Sequence, residues 1–248
     1  MIIVCWRDGF LKRCLRPLYF PNHAFMQAAT TRSTARGLYA THGKRWFDVV
    51  LSAIGLFLFG IPMLGVGWLI WLVDGSPVLF RQKRVGQNGE LFAIYKFRTM
   101  SNRPATGTSV TVAGDARVTS FGKWLRRFKL DELPQLLNVL KGDMSFVGPR
   151  PDVPGYLDRL RGEEARLREL RPGITGPASL AFRNEEDLLA EAPDPVAFND
   201  RVLFPEKVRL NLEYMKRISF SSDVGYILKT MLPGHEEPAQ RLVRESHR

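Results

Sequence analysis

Apolar and polar positions divide the chain into one long unbroken apolar block and a larger remainder in which apolar residues come in short, interrupted runs. Val49 to Val73 (VVLSAIGLFLFGIPMLGVGWLIWLV) carries no charge and is apolar at nearly every position. As a straight helix rising about 1.5 Å per residue it extends roughly 37 Å, enough to cross a bilayer core. It starts too late and runs too long for a secretion signal, and no clear cleavage site follows. A buried core helix of a soluble protein fits this length and composition less well. Pro62 lies at its centre among Gly60, Gly65 and Gly67, where a missing backbone donor predicts a sharp bend. Both flanks are basic, with Lys44 and Arg45 before the block and Arg81, Lys83, Arg84, Lys96 and Arg98 after it. Comparable positive flanks give no preferred direction of crossing. A helix that dips into the bilayer, breaks at Pro62 and returns keeps both flanks on one side. Asp48 and Asp74 bracket the block and are expected at the interface.

Elsewhere the periodicities are short. Residues 1–43 mix basic and aromatic positions and read as a poorly ordered or membrane-surface leader, with a short amphipathic helix near Phe10–Tyr19. Residues 76–100 predict two strands around Asn88-Gly89, a pair suited to a hairpin turn. Residues 101–118 are small and polar and predict a loop. Phe121 to Leu130 predicts an amphipathic helix with Trp124, Leu125 and Phe128 on one face. DELPQLLNVLKG, from Asp131, predicts a helix with Asp131 as N-cap, Pro134 early and Gly142 as terminator. Charged helical periodicity covers Pro154 to Leu170, and a last helical region runs from about Pro205 to Met231.

Composition narrows the chemistry. With 45% hydrophobic residues among 248, the chain can bury a core. Its 36 Lys+Arg against 25 Asp+Glu favour anionic partners such as nucleic acid, an anionic membrane surface or phosphate-bearing substrates. A nucleic-acid binder would need a recognition helix or a stacking platform, and neither is evident. Residues 43–234 hold neither His nor Cys, which argues against zinc hydrolysis, a Ser-His-Asp triad and thiol chemistry there. Cys5 and Cys14 form no metal or disulfide pattern, as suits a reducing environment. Carboxylates, Lys/Arg, hydroxyls and a hard cation remain.

The carboxylates that stand out are Asp131 and Glu132. Arg126, Arg127 and Lys129 precede them; Lys141, Arg150 and Arg171 follow. A carboxylate at a helix start among these cations is expected to have a depressed pKa and to stay ionised, as a carboxylate nucleophile must. The same arginines suit phosphate. A D-E pair at a helix start is also an ordinary cap. GDMSFVGPRPDVPG and Arg171-Pro172-Gly173-Ile174-Thr175-Gly176 place further arginines on constrained turns.

The succession KRWFDVVLSAIGLFLFGIP, LFRQKRVGQNGELFAIYKFRTM, LDELPQLLNVLKGDMSFVGPRP and LRPGITG resembles the bacterial sugar transferase family, the monotopic polyprenyl-phosphate phosphoglycosyl transferases. The resemblance runs from about Lys44 to Met231. It implies a mainly α protein with a small β-hairpin and a monotopic re-entrant helix-break-helix on the cytoplasmic face of a bacterial inner membrane. The implied layout is a leader over 1–43, a membrane hairpin over 44–75, a cytoplasmic catalytic domain over 76–232 and a polar tail over 233–248. The implied reaction is ping-pong. The aspartate matching Asp131 attacks the β-phosphate of a UDP-sugar and releases UMP, and polyprenyl phosphate then takes the phosphosugar, which initiates glycan assembly. Glu132 matches the second member of the dyad, assigned to magnesium binding (with Asp131) or to activating the lipid phosphate. Arg126 and Arg150 match phosphate-binding arginines. Lys96, Arg98 and Thr99, then Arg171 and Arg183, fall in segments near the site.

The sequence departs from the family's pattern in places. The Ser-Pro pair usual at the membrane break is Ile61-Pro62 here, and RPGITGWAQVNGRN is replaced by RPGITGPASLAFRN, with Pro177 and Ser179 substituted and Arg183 and Asn184 kept. The multi-helix N-terminal domain of larger members is not expected. A catalytically silent membrane anchor for a glycan-assembly complex is the alternative, and the intact Asp131-Glu132 pair speaks against it.

Overall fold

A computed structural model describes residues 38–101 and 115–232. Most of the expected leader, most of the 101–118 loop and the polar tail lie outside the described residues.

A π-helical turn, Tyr39–Gly43, leads into α1, Lys44–Asp74, which stops where Gly75 takes a φ of 75°. The sequence predicts a break at Pro62; instead one helix runs through it. Proline removes one donor, and the intact turns on both sides carry the helix across. Both ends of α1 are tied to the body of the protein. Arg45 donates to the carbonyls of Val139 (2.6 Å) and Leu140 (2.8 Å). Asp48 is buried and accepts from the Phe146 amide at 3.0 Å, so it does not sit at an interface as expected. At the far end Asp74 accepts from the Thr119 hydroxyl at 3.1 Å, and Ile70 packs fully buried against Phe97 and Leu125. The middle is bare: Phe57 is 87% and Ile61 82% exposed.

The hairpin forms as expected. β1, Leu79–Val85, pairs antiparallel with β2, Leu91–Phe97, with Val85 opposite Leu91. Asn88 and Gly89 turn the chain with φ of 56° and 83°, left-handed values that asparagine and glycine tolerate. α2, Ser120–Arg127, begins at Thr119, whose hydroxyl accepts from the Gly122 amide at 2.9 Å. The face differs from expectation. Leu125 is fully buried, whereas Trp124 and Phe128 stay half-exposed, Trp124 stacked on Phe121 and tilted against Phe128. Positions 121, 124 and 128 are three and four apart and share a face; Leu125 turns inward.

Asp131 is not the cap of the next helix. It lies in a 3-10 turn, Leu130–Glu132, and α3 starts later, at Gln135–Lys141, closing at Gly142 with φ 100°. Pro134 has no N–H to return to Leu130, so bonds three residues apart carry the chain across it: the Leu133 amide reaches Leu130 at 3.2 Å and Leu136 reaches Leu133 at 3.0 Å.

The two Gly/Pro-rich motifs meet as a short parallel pair, β3 (Ser145–Val147) beside β4 (Gly173–Thr175). Their approach leaves no room for side chains. A Cβ at Gly173 would fall 2.2 Å from the Gly148 nitrogen, and one at Gly148 would fall 2.4 Å from the Arg171 carbonyl. Gly173→Ala is therefore expected to destabilise the protein by about 3 kcal/mol. Gly60→Ala, with nothing within 4 Å, should be neutral or slightly stabilising; thermal melts in detergent compare the two.

The helix expected over Pro154 to Leu170 is replaced by two 3-10 segments, Leu157–Arg159 and Glu164–Glu169. Gly155 and Gly162 between and before them adopt φ of 110° and 60°, which no α-helix accommodates. Short helices α4 (Pro177–Ala181), α5 (Glu185–Glu191) and α6 (Pro195–Phe198) follow. The last helical region is two helices, α7 (Phe204–Lys216) and α8 (Phe220–Met231), parted at Ser219, whose hydroxyl caps α8 in a reciprocal box with Ser222. Fully buried Asp223 accepts from Tyr39 (2.8 Å), Lys44 (2.5 Å) and Tyr214 (2.6 Å), joining α8, α7 and the start of α1.

Candidate active site

The pair Asp131-Glu132 sits where β2, α2 and the segment after β3 converge. Lys129 is in the left-handed region, at φ 57°, and this reversal turns the chain so that the two acids follow α2 directly. Glu132 is the held member. Lys96, near the end of β2, donates to its Oε1 at 2.7 Å, and Arg150, just past β3, donates to the same oxygen at 3.1 Å. Asp131 is 7% exposed, and its Oδ1 has no hydrogen-bond partner among the described residues.

This arrangement reverses the expected electrostatics. Burial lifts the Asp131 carboxyl above the usual carboxylate range, and the charge on Glu132 adds to the rise; Lys96, Arg126 and Lys129 only partly offset it. Burial also acts upward on Glu132, but the charges of Lys96 and Arg150 and the bond from Lys96 overcome it and hold that carboxyl well below its ordinary value. Sequence proximity suggested cations around Asp131. The fold brings Lys96 and Arg150 onto Glu132.

Of the other residues singled out in the sequence, Arg126 and Thr99 are brought together, the Arg126 Nε donating to the Thr99 hydroxyl at 2.9 Å. Arg126 also reaches Glu186 on α5 at 3.3 Å. Arg98 turns elsewhere and donates to the carbonyls of Asp74 and Gly75 at the end of α1. Arg171 is not brought to the carboxylates; its Nε donates to the Gly142 carbonyl at 3.0 Å, beyond the C-terminus of α3. Arg183 bonds the carbonyls of Leu232, Lys229 and Thr230 and closes the end of α8.

A second group of charges, not anticipated, adjoins Arg150. Lys207 on α7 pairs with Glu185 on α5 at 2.5 Å, and Asp152 lies within the fields of Lys207, Arg84, Glu185 and Arg150. Arg84 donates to the Pro151 carbonyl at 3.2 Å, while its Nε is buried without a partner among the described residues. These residues are scattered from 84 to 207, and no local pattern connects them.

Burial pushes the Asp152 carboxyl up to about 6, against the pull of Lys207 and Arg84. A group whose folded pKa is raised gives stability in acid that is lost as pH rises through about 6. Asp152→Asn is thus expected to leave stability unchanged at pH 4 and to raise it by roughly 2 kcal/mol at pH 8, read by denaturation at both values.

Asp131 and Glu132 bear on a metal as well. No group of three or more His, Cys, Asp or Glu gathers among the described residues. One orphaned carboxylate oxygen beside an ionised carboxylate is the donor set that magnesium takes when substrate phosphates supply its other oxygens.

The sequence profile described as bacterial sugar transferase matches residues 39–235. The chain is 43% identical to the uncharacterized sugar transferase EpsL of Bacillus subtilis (strain 168), over 76% of this chain and 85% of the relative. It is 38% identical to the UDP-N-acetylgalactosamine-undecaprenyl-phosphate N-acetylgalactosaminephosphotransferase of Aeromonas hydrophila, over 76% of this chain and 42% of the relative. It is 35% identical to the UDP-glucose:undecaprenyl-phosphate glucose-1-phosphate transferase of Escherichia coli (strain K12), over 77% of this chain and 40% of the relative. The chain thus spans about two fifths of the length of the latter two.

Proposed function

The chain belongs to the bacterial sugar transferase family, and from that membership we propose that it transfers a phosphosugar from a UDP-sugar to polyprenyl phosphate through a covalent aspartyl intermediate. The observation that carries this reading is the division of labour in the dyad. Glu132 is neutralised by Lys96 and Arg150, while Asp131 keeps an oxygen with no partner among the described residues. Asp131 is the member that no cation bonds directly among the described residues, which leaves it the freer carboxylate to attack phosphorus.

In the first half-reaction an Asp131 oxygen attacks the β-phosphorus of the UDP-sugar. A P–O bond to that phosphorus forms, the bond between β-phosphorus and the bridging oxygen breaks, and UMP leaves with that oxygen. In the second, an oxygen of the polyprenyl phosphate attacks the same phosphorus and the carboxylate is released. Arg126, which bonds Thr99, and Arg150, which bonds Glu132, would take phosphate oxygens and offset the charge spread over them. Magnesium held by Asp131 and Glu132 would supply further positive charge against the diphosphate. Undecaprenyl phosphate stands in the names of the Aeromonas hydrophila and Escherichia coli relatives and supports the acceptor class.

The membrane placement follows the same logic. Both ends of α1 bind one body, through Arg45 at one end and through Asp74 at the other, while its apolar middle is exposed. With both ends held on that body, α1 would rest its bare middle in one leaflet, where lipid covers it, and leave the site at the cytoplasmic headgroups. Soluble UDP-sugar and membrane-held acceptor then meet at the dyad.

The test is purified protein with magnesium and a panel of UDP-sugars, read by intact mass and then by UMP release on adding polyprenyl phosphate. A mass increase equal to one phosphosugar supports the reading. UMP release without any adduct would remove the covalent step, and silence in both assays across a broad panel would favour a non-catalytic anchor.

A further inference from the structure

Two acids open α5, and each reaches a different cation near the dyad. Glu185 pairs with Lys207 at 2.5 Å, and its side chain is 27% exposed. Glu186 pairs with Arg126 at 3.3 Å, and its side chain is 53% exposed. The first pair is short and sheltered, whereas the second is long and open to water. An exposed ion pair of the second kind holds its partners only weakly. The helix that carries both acids is pinned from below, because Leu188 and Leu189 are buried against Ala181, Phe182 and Leu203. Release of Arg126 therefore needs only the Glu186 side chain to swing away. Once released, that carboxylate still lies in the first turn of α5, where negative charge is favoured.

Arg126 is held from two sides. Its Nε donates to the Thr99 hydroxyl at 2.9 Å and its Nη1 to Glu186. The charge of Arg126 also acts on Asp131, so the guanidinium belongs to the surroundings of the dyad. A phosphate oxygen, more highly charged and able to approach more closely, is a better acceptor for Nη1 than a carboxylate at 3.3 Å. We infer that Glu186 is a displaceable counter-ion, which occupies Arg126 until the diphosphate of the donor takes its place and so sets how tightly that diphosphate binds. Glu186 acts through Arg126 and is a positioning residue. Thr99 keeps the guanidinium in place during the exchange. The inference rests on the reading of the dyad as a diphosphate site.

Calorimetric titration of the full chain in detergent and magnesium with UDP tests it, alongside transfer kinetics. Glu186→Gln should bind UDP about threefold more tightly than wild type, with a matching fall in KM for the UDP-sugar and no gain in kcat. Arg126→Gln should bind UDP about tenfold more weakly. Adding Glu186→Gln to Arg126→Gln should change nothing further, because no guanidinium remains to be released. Asp187→Asn removes the same charge one residue on and should leave UDP affinity at the wild-type value. Equal UDP affinity in wild type and Glu186→Gln overturns the inference. A gain that persists without Arg126, or that Asp187→Asn reproduces, marks a general charge effect and overturns it too. If Arg126→Gln does not fold, the comparison of Glu186→Gln with Asp187→Asn decides. A wild type that binds no UDP also overturns it. Tight UDP binding without any phosphosugar adduct would instead remove the covalent step and leave the counter-ion standing.

Discussion

Asp131→Asn should abolish the phosphosugar adduct and cut turnover by about a thousandfold or more, while the protein becomes more stable rather than less. The activity loss follows because the amide has no anionic oxygen with which to displace UMP. The stability gain follows from the electrostatics. Burial and the neighbouring charge of Glu132 raise the Asp131 pKa, so the folded state disfavours the charged form. Such a group stabilises in acid and loses that contribution as pH rises through its folded value, so at neutral pH the charge is a cost. Asparagine has the shape without the charge. Intact-mass analysis with a UDP-sugar and a melting curve on the same sample read both effects. A variant less stable than wild type would show that Asp131 is held in the fold by attractions not visible among the described residues.

The opposite signature is expected one residue on. Glu132→Gln should lower stability by about 3 kcal/mol and activity by about a hundredfold, because it leaves Lys96 and Arg150 facing each other without the charge that joins them. Lys96→Met combined with Glu132→Gln should recover much of the stability and none of the activity, since the buried cation is gone but Arg150 is still unanchored. Chemical denaturation of the two singles and the double gives the coupling. Glu132's folded pKa is depressed, so its stabilising contribution is present above the ordinary carboxylate range and is lost as pH falls through the folded value. Wild type and Glu132→Gln should therefore converge in stability only in strong acid. Equal stabilities at neutral pH would remove Glu132 as the point where Lys96 and Arg150 are held.

These two predictions turn on a distinction that adjacent letters in a sequence do not make. Asp131 and Glu132 are neighbours among the same cations, and the linear reading expected a depressed pKa there without separating the two. Which acid receives Lys96 and Arg150 depends on β2 and the segment after β3, separated from the dyad by 36 and 18 residues. The arginines show the same limit. Arg126 and Arg150 lie at the dyad, but Arg171 and Arg183 close helix ends elsewhere, although all four share a chemistry that suits phosphate. The cluster of Arg84, Asp152, Glu185 and Lys207 has no local signal at all.

Sequence by itself determined what depends on nearest neighbours and on period. The apolar block had to be a membrane-length helix, because no charged residue interrupts it. Asn88-Gly89 had to turn a hairpin, because both positions need left-handed backbone. Gly142 had to end α3 for the same reason. The motif order around LDELPQL was enough to identify the family. Tertiary structure decided the rest. It carried α1 uninterrupted through Pro62, replaced the periodic 154–170 stretch with 3-10 segments, and brought two glycine-rich turns together as β3 and β4 where any Cβ would collide. It also chose which acid of the dyad receives Lys96 and Arg150. The physical reason is range: helix signals and turn conformations act over a few residues, whereas burial and charge pairing depend on every element that folds against the site.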